Sequence, residues 1–195
     1  MRSVILASAS PRRRELLSLL GWPFSVKVSS IEEVIAPSES PQGAVVRLAT
    51  EKARSVHSAS EDMVIAADTV VVLDGTILGK PSSQDEAFDM VKSLAGRSHL
   101  VMTGVAVAQG NRVVSDVEIT SVSFRELDDD GIKAYVETGE GMDKAGAYGI
   151  QGLGALLVSR IEGDYFNVVG LPLHRLSIMV GAFGCSLDSQ WGVDL

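Results

Sequence analysis

The chain has 195 residues, is 46% hydrophobic and carries a formal net charge of −8. That size and composition suit one large domain or two closely merged lobes with a real core. The acidity argues against a general nucleic-acid binder, which usually presents a basic face, but not against a small anionic ligand held by a few local cations. The single cysteine, Cys185, excludes a disulfide framework and a Cys-rich zinc site, and suits a reducing cytoplasm. The apolar stretch after Arg2 is too short for a signal peptide, and no apolar run approaches the roughly 20 residues that span a bilayer.

In chain order, Ser3–Ala7 (SVILA) predicts a buried strand. Ser10 and Pro11 read as N-cap and first helical residue, and PRRRELLSLL as a helix stopped by Gly21. Phe24–Ser29 alternates as a strand, and residues 30–42 form an acidic, proline-containing loop. Ala44–Ala59 has helical periodicity. Met63–Leu73 is a strand pair or one long strand, Asp74–Gly75 a hairpin turn, and Gly79–Lys80–Pro81 closes that hairpin. A helix over Ser83–Leu94 ends before Gly96. Leu100–Ala108 and Arg112–Phe124 are strands joined through Gly110–Asn111, and Asp128–Thr138 is an acidic-headed helix. Six glycines crowd residues 139–154; Ala155–Ile161 is a strand and Leu171–Phe183 a helix. The segment 185–195 reads as a loose tail after a single domain over 1–184. Alternating helices and hairpin-linked strands predict an α/β fold with a mixed sheet.

The stretch SASPRRR poses a physical problem. A helix start carries partial positive charge, yet Arg12, Arg13 and Arg14 fill its first turn. The bland explanation is a solvated basic helix start with one arginine paired to Glu15. The functional one is an anion site built from backbone amides, the Ser8 and Ser10 hydroxyls, and the Arg12 and Arg13 guanidinium forks, with Arg14 on the surface. An oligophosphate there would remove the conflict. The pattern is not a Walker loop.

Asp68 lies within the apolar run VIAADTVVVL, where a carboxylate must be paired, metal-bound or at a strand end. It is either a turn residue or a cleft carboxylate that holds Mg2+ or activates water. Glu32 and Glu33 are solvated loop acids or join the same metal. Lys52, Lys80 and Lys144 sit near turns or predicted strand ends, where a triphosphate would need them; singly, each reads as surface. In DKAGAYGIQGLGA the glycines suggest close backbone approach to a ligand. Gln151 there offers a donor and an acceptor, as a pyrimidine edge requires. His57, His99 and His174 lack metal-ligand spacing, and no GxSxG elbow is present.

With LASASPRR, IEE, EKA, AADTVV, LGKP, DKAGAYGIQG and DYFNVVGLP together, the chain resembles the Maf family of nucleoside triphosphate pyrophosphatases from about residue 3 to residue 183. The resemblance implies a fold like that of the inosine triphosphate pyrophosphatases: an elongated mixed sheet flanked by helices, with two lobes and a central cleft. It implies hydrolysis of a nucleoside triphosphate to monophosphate and pyrophosphate with a divalent metal, Mg2+ or Mn2+. By motif, Asp68 would be proton acceptor or metal ligand. Ser8, Arg12, Arg13, Lys52 and Lys80 would hold phosphates. Glu33, or else Glu32, would serve the metal. Arg12, Thr69 and Gln151 would set base preference, and Thr69 with Gln151 resembles the branch acting on dTTP and UTP. The branch acting on 7-methyl-GTP carries an acidic residue near the Gln151 position. A cytoplasmic homodimer, without nucleic-acid or membrane partners, is expected. Links to division arrest or to removal of modified nucleotides go with the family. The rival expectation is a non-catalytic, nucleotide-sensing regulator of septum formation.

Overall fold

A computed structural model describes residues 3–36, 38–56 and 62–192. His57 and the end of the helix expected to reach Ala59 lie outside the described residues.

Strand β1 (Val4–Leu6) pairs in parallel with β2 (Phe24–Val26) and with β3 (Met63–Leu73), Val4 lying opposite both Phe24 and Met63. The VIAADTVVVL run is one continuous strand, so the pair alternative falls away. Nearly every β3 side chain is buried, which is why its sequence shows no alternation. Its far end turns back antiparallel into β4 (Thr76–Leu78). Strands β5 (Ser98–Gln109), β6 (Arg112–Phe124) and β7 (Val158–Glu162) complete a mixed sheet of order β2-β1-β3-β5-β6-β7, seven-stranded with β4 on β3 among the described residues. The β6–β7 pair is antiparallel, with an irregular register at Ser123/Phe124.

The flanking helices are α1 (Pro11–Ser18), α2 (Pro41–Val56), α3 (Gln84–Leu94), α4 (Asp129–Glu137), α5 (Tyr165–Val169), α6 (Leu173–Gly181) and α7 (Leu187–Gly192). The chain divides into two compact units. The first comprises Met1–Asp68, Thr103–Glu118 and Gly170–Leu195. In it, Ala49 and Ala53 of α2 pack on Ala7, Ala66, Ala106 and Ala108 of the sheet side. Small residues at that contact let the helix lie close to the strands. The second unit comprises Thr69–Met102 and Ile119–Val169. Its core gathers Val91 and Leu94 of α3, Ile132 and Tyr135 of α4, and Phe124 and Tyr148.

Two expectations need correction. The predicted strand Ala155–Ile161 begins later, because a 3-10 turn occupies Gly152–Leu156 and β7 starts at Val158. The segment 185–195 is not a loose tail where it is described. Residues Leu187–Gly192 form α7, and Gln190 is buried. Its side-chain amide donates to the carbonyls of Ser177 (3.1 Å) and Cys185 (2.9 Å) and accepts from the Ser177 hydroxyl (2.7 Å). The Trp22 indole donates to the Gln190 carbonyl at 3.0 Å. A single inward glutamine anchors this short polar helix, and hydrophobic periodicity cannot reveal that.

Candidate active site

In the first unit the site begins at α1. The Ser10 hydroxyl caps the helix by accepting from the Arg13 amide at 3.4 Å, and the first turn contains no acid. The Ser8 hydroxyl accepts from the Ser10 amide (3.2 Å) and from Arg13 Nη1 (3.4 Å). Arg13 Nε donates to the Gly170 carbonyl at 2.8 Å. Arg12 and Arg13 are half-buried and Arg14 is exposed, so the pair expected to face a ligand is the inward one. Burial lowers the affinity of the Arg13 guanidinium for its proton; the Asp68 and Glu33 charges oppose that, and Arg12 adds to it. Arginine nevertheless stays protonated. The conflict with the helix dipole is therefore already met in part by two carboxylates of this chain.

Those carboxylates converge on Lys52. Lys52 projects from α2 and is buried, with Nζ 2.5 Å from Asp68 Oδ1 and 2.7 Å from Glu33 Oε1. Asp68 is itself buried on β3, whereas the Glu33 side chain is half-exposed. Pairing resolves the cost of placing each charge inside. The loop bearing Glu33 is fixed by Arg47 of α2. Arg47 grips the Glu39 carboxylate with two bonds (2.8 and 2.7 Å) and donates to the Val34 carbonyl at 2.8 Å. Glu32 is exposed, and Glu33 is the loop acid that the structure brings to the Lys52 ammonium, which also pairs with Asp68.

Among the described residues no group of three or more His, Cys, Asp or Glu side chains forms a metal cage. Two carboxylates reaching one ammonium are nevertheless a hard-oxygen donor set. Mg2+ and Mn2+ accept such a set, because phosphate oxygens and waters complete their coordination. The residues present fit a divalent cation that is bound together with a phosphate ligand.

The second unit holds the remaining candidates. Thr69, which follows Asp68, is half-buried, and Lys80 is exposed on the turn after β4. That turn touches the glycine-rich loop, for the Gly79 carbonyl accepts from the Gly146 amide at 2.9 Å. The Gly79–Lys80 segment and the loop that carries Gln151 are thus joined by this backbone bond. Gln151 is half-buried. Lys144 points into its own loop, donating to the Glu140 carbonyl and to Asp143 Oδ1 (2.6 Å). The glycines answer to the chain itself. A Cβ on Gly141 would lie 1.9 Å from the Ala147 carbonyl oxygen, and one on Gly154 2.1 Å from that of Gly149.

Two contributors to the site, and the packing role of one buried histidine, escaped the sequence. Gly170 lies 157 residues from Arg13, a pairing that no local pattern encodes. Arg47 reads as an ordinary polar helix position. His99 is buried, with Nε2 2.6 Å from the Tyr148 hydroxyl and rings stacked edge-on with Phe124 and Tyr148. Burial pulls its proton affinity down to about 4, so it is a neutral packing residue at physiological pH.

The family model described as Maf-like protein matches residues 3–183. The chain belongs to the Maf-like family. A dTTP/UTP pyrophosphatase of Moorella thermoacetica is 52% identical to this Maf-like chain over 195 residues, covering 98% of this chain and 99% of its own. One of Clostridioides difficile is 51% identical over 194 residues, covering 98% and 100%. Among solved structures, a HAM1 protein from Coxiella burnetii shows a partial likeness. It covers 64% of this chain and 73% of that chain at 15% identity, with a TM-score of 0.45. So low a score carries no argument, and the mixed α/β architecture rests on the strand pairing itself.

Proposed function

We propose that this Maf-like protein hydrolyses nucleoside triphosphates, preferring dTTP and UTP, to the monophosphate and pyrophosphate. The observation that carries the reading is the buried Lys52 joined to Asp68 and Glu33, with Arg13 in their electrostatic field. The names of the relatives, at 52% and 51% identity over nearly the full length, support it.

In this reading Ser8, the α1 amides, Arg12 and Arg13 hold the phosphates, and the Gly170 carbonyl sets the direction of Arg13. Lys52 neutralises the approach of an anion to two carboxylates and fixes their orientation. Glu33 and Asp68 would hold the divalent cation, Mg2+ or Mn2+; when bound, such an ion neutralises phosphate charge and increases the acidity of bound water. Asp68 takes the proton of the water that attacks the α-phosphorus, and pyrophosphate leaves. Catalysis is then largely electrostatic positioning. Thr69 and Gln151 read the base, Lys80 contacts substrate, and Lys144 shapes the loop that already engages it. The family's homodimer is part of the same proposal.

The test is phosphorus NMR of UTP incubated with purified protein and Mg2+. UMP and pyrophosphate are expected. UDP with inorganic phosphate would overturn attack at the α-phosphorus. No product from folded protein with metal would overturn the enzyme reading in favour of the nucleotide-sensing regulator.

A further inference from the structure

Gln151 sits at the apex of a loop whose two sides are tied to one carboxylate. On its C-terminal side, Glu140 Oε2 accepts from the Leu153 amide at 2.8 Å, and Glu140 Oε1 accepts from the Gly154 amide at 2.8 Å. On its N-terminal side, the Gly149 amide donates to the Tyr135 hydroxyl at 3.4 Å, and that hydroxyl donates to Glu140 Oε1 at 3.3 Å. The amide bonds to the carboxylate are the short, charge-assisted ones.

The residue directly after Gln151 is fitted to the same group. Gly152 adopts φ +68, and a Cβ there would lie 2.6 Å from Glu140 Oε2. A side chain at 152 would therefore push the carboxylate away from the amides that it caps. Glu140 thus anchors the 3-10 turn Gly152–Leu156, for which Gln151 is the N-cap residue without a side-chain cap bond. Glu140 serves the Leu153 and Gly154 amide donors of the turn, and the Gln151 side chain makes no cap bond to it.

We propose that Glu140 is a positioning residue for base selection: its carboxylate fixes the backbone on both sides of Gln151 and so aims the Gln151 amide at the pyrimidine edge. The inference rests on the reading in which Gln151 contacts the base. Burial pushes the Tyr135 hydroxyl above its ordinary range; the Gly149 amide bond opposes that and the Glu140 charge adds to it. The hydroxyl therefore remains a donor throughout neutral pH. Glu140 itself touches no substrate in this arrangement. Its removal leaves the Lys52 cluster of the other unit in place, so selectivity falls more than turnover does.

The experiment is a double-mutant cycle read as the ratio of kcat/KM for UTP to that for CTP. Wild type, Glu140→Gln, Glu140→Ala, Gln151→Ala and the two combinations are compared, with thermal midpoints taken for each. Glu140→Ala is expected to lower the ratio by about tenfold, the scale of one or two well-made hydrogen bonds. Glu140→Gln, which keeps one acceptor oxygen, should fall between it and wild type. In the Gln151→Ala background the Glu140 substitutions should change the ratio by less than about twofold.

Equal losses on UTP and CTP, or a selectivity change that persists without Gln151, would overturn the inference. A wild-type preference that survives both Glu140 substitutions would overturn it while leaving the Gln151 reading intact. A wild-type enzyme indifferent to the base would overturn the Gln151 reading and this inference with it. If Glu140→Ala fails to fold, Glu140→Gln carries the comparison.

Discussion

Lys52 Nζ and Asp68 Oδ1 lie 2.5 Å apart, both buried, within the first compact unit. Glu33 reaches the same ammonium from a loop. Asp68→Asn keeps the shape and leaves Lys52 its Glu33 partner, so the fold should survive. Turnover of UTP should fall by roughly a hundredfold to ten-thousandfold, the usual range for a lost acid–base group. Steady-state assays with circular dichroism as the folding control check this. An active Asp68→Asn protein would remove Asp68 from its assigned role.

Lys52→Met tests the same pair from its other side. Asp68 would be left buried without its ammonium, and breaking a buried pair from one side costs about 3 kcal/mol. Urea unfolding at neutral pH should show a loss of that order, together with loss of activity. Unchanged stability would mean that Asp68 is paired by something other than Lys52.

Gln151→Glu should weaken UTP and dTTP hydrolysis selectively, because a carboxylate cannot donate to a pyrimidine carbonyl. Initial rates across nucleotides decide the matter. An equal loss on all of them would assign Gln151 to supporting the loop.

His99 should make stability depend on pH in one direction. Its folded-state value lies near 4, well below the ordinary 6.5, because burial disfavours the charged ring. Above 6.5 neither state binds the proton, and there is no penalty. As pH falls from 6.5 to 4 the unfolded chain takes up a proton that the folded one refuses, and stability declines by up to roughly 3 kcal/mol. Below 4 the contribution is flat. Urea midpoints of wild type and His99→Gln, taken from pH 8 down to pH 4, should diverge in slope below 6.5. Parallel curves would contradict the burial argument.

Gln190→Ala should cost about 2 kcal/mol, since it strands the Ser177 and Cys185 carbonyls beneath α7. Thermal unfolding measures it. A neutral substitution would return residues 185–192 to the status of a tail.

What was legible in the sequence was what physical conflict exposes. Three arginines at a helix start and an aspartate inside an apolar strand are each unfavourable alone; of these, Arg13 lies in the field of Asp68 and Glu33, and Asp68 is paired with Lys52, while Arg14 stays exposed. The β3 run and the Asp74–Gly75 turn were readable because burial on both faces and turn chemistry are local properties. What stayed hidden depends on partners distant in sequence. Lys52 was a candidate for holding phosphate, but nothing local in the sequence foretold the two carboxylates that the fold puts on it. The glycines of 139–154 suggested a ligand's approach, but at Gly141 and Gly154 the approaching atoms are the loop's own carbonyls. The α7 helix was missed because its anchor, Gln190, is polar and hydrophobic patterning does not register it.

The most direct test of the central claim is a nucleotide panel with Mg2+ or Mn2+, with pyrophosphate and monophosphate both measured. The account predicts stoichiometric pyrophosphate and monophosphate from dTTP and UTP, with little from 7-methyl-GTP. Folded, metal-supplied protein that releases pyrophosphate from no nucleotide would contradict it.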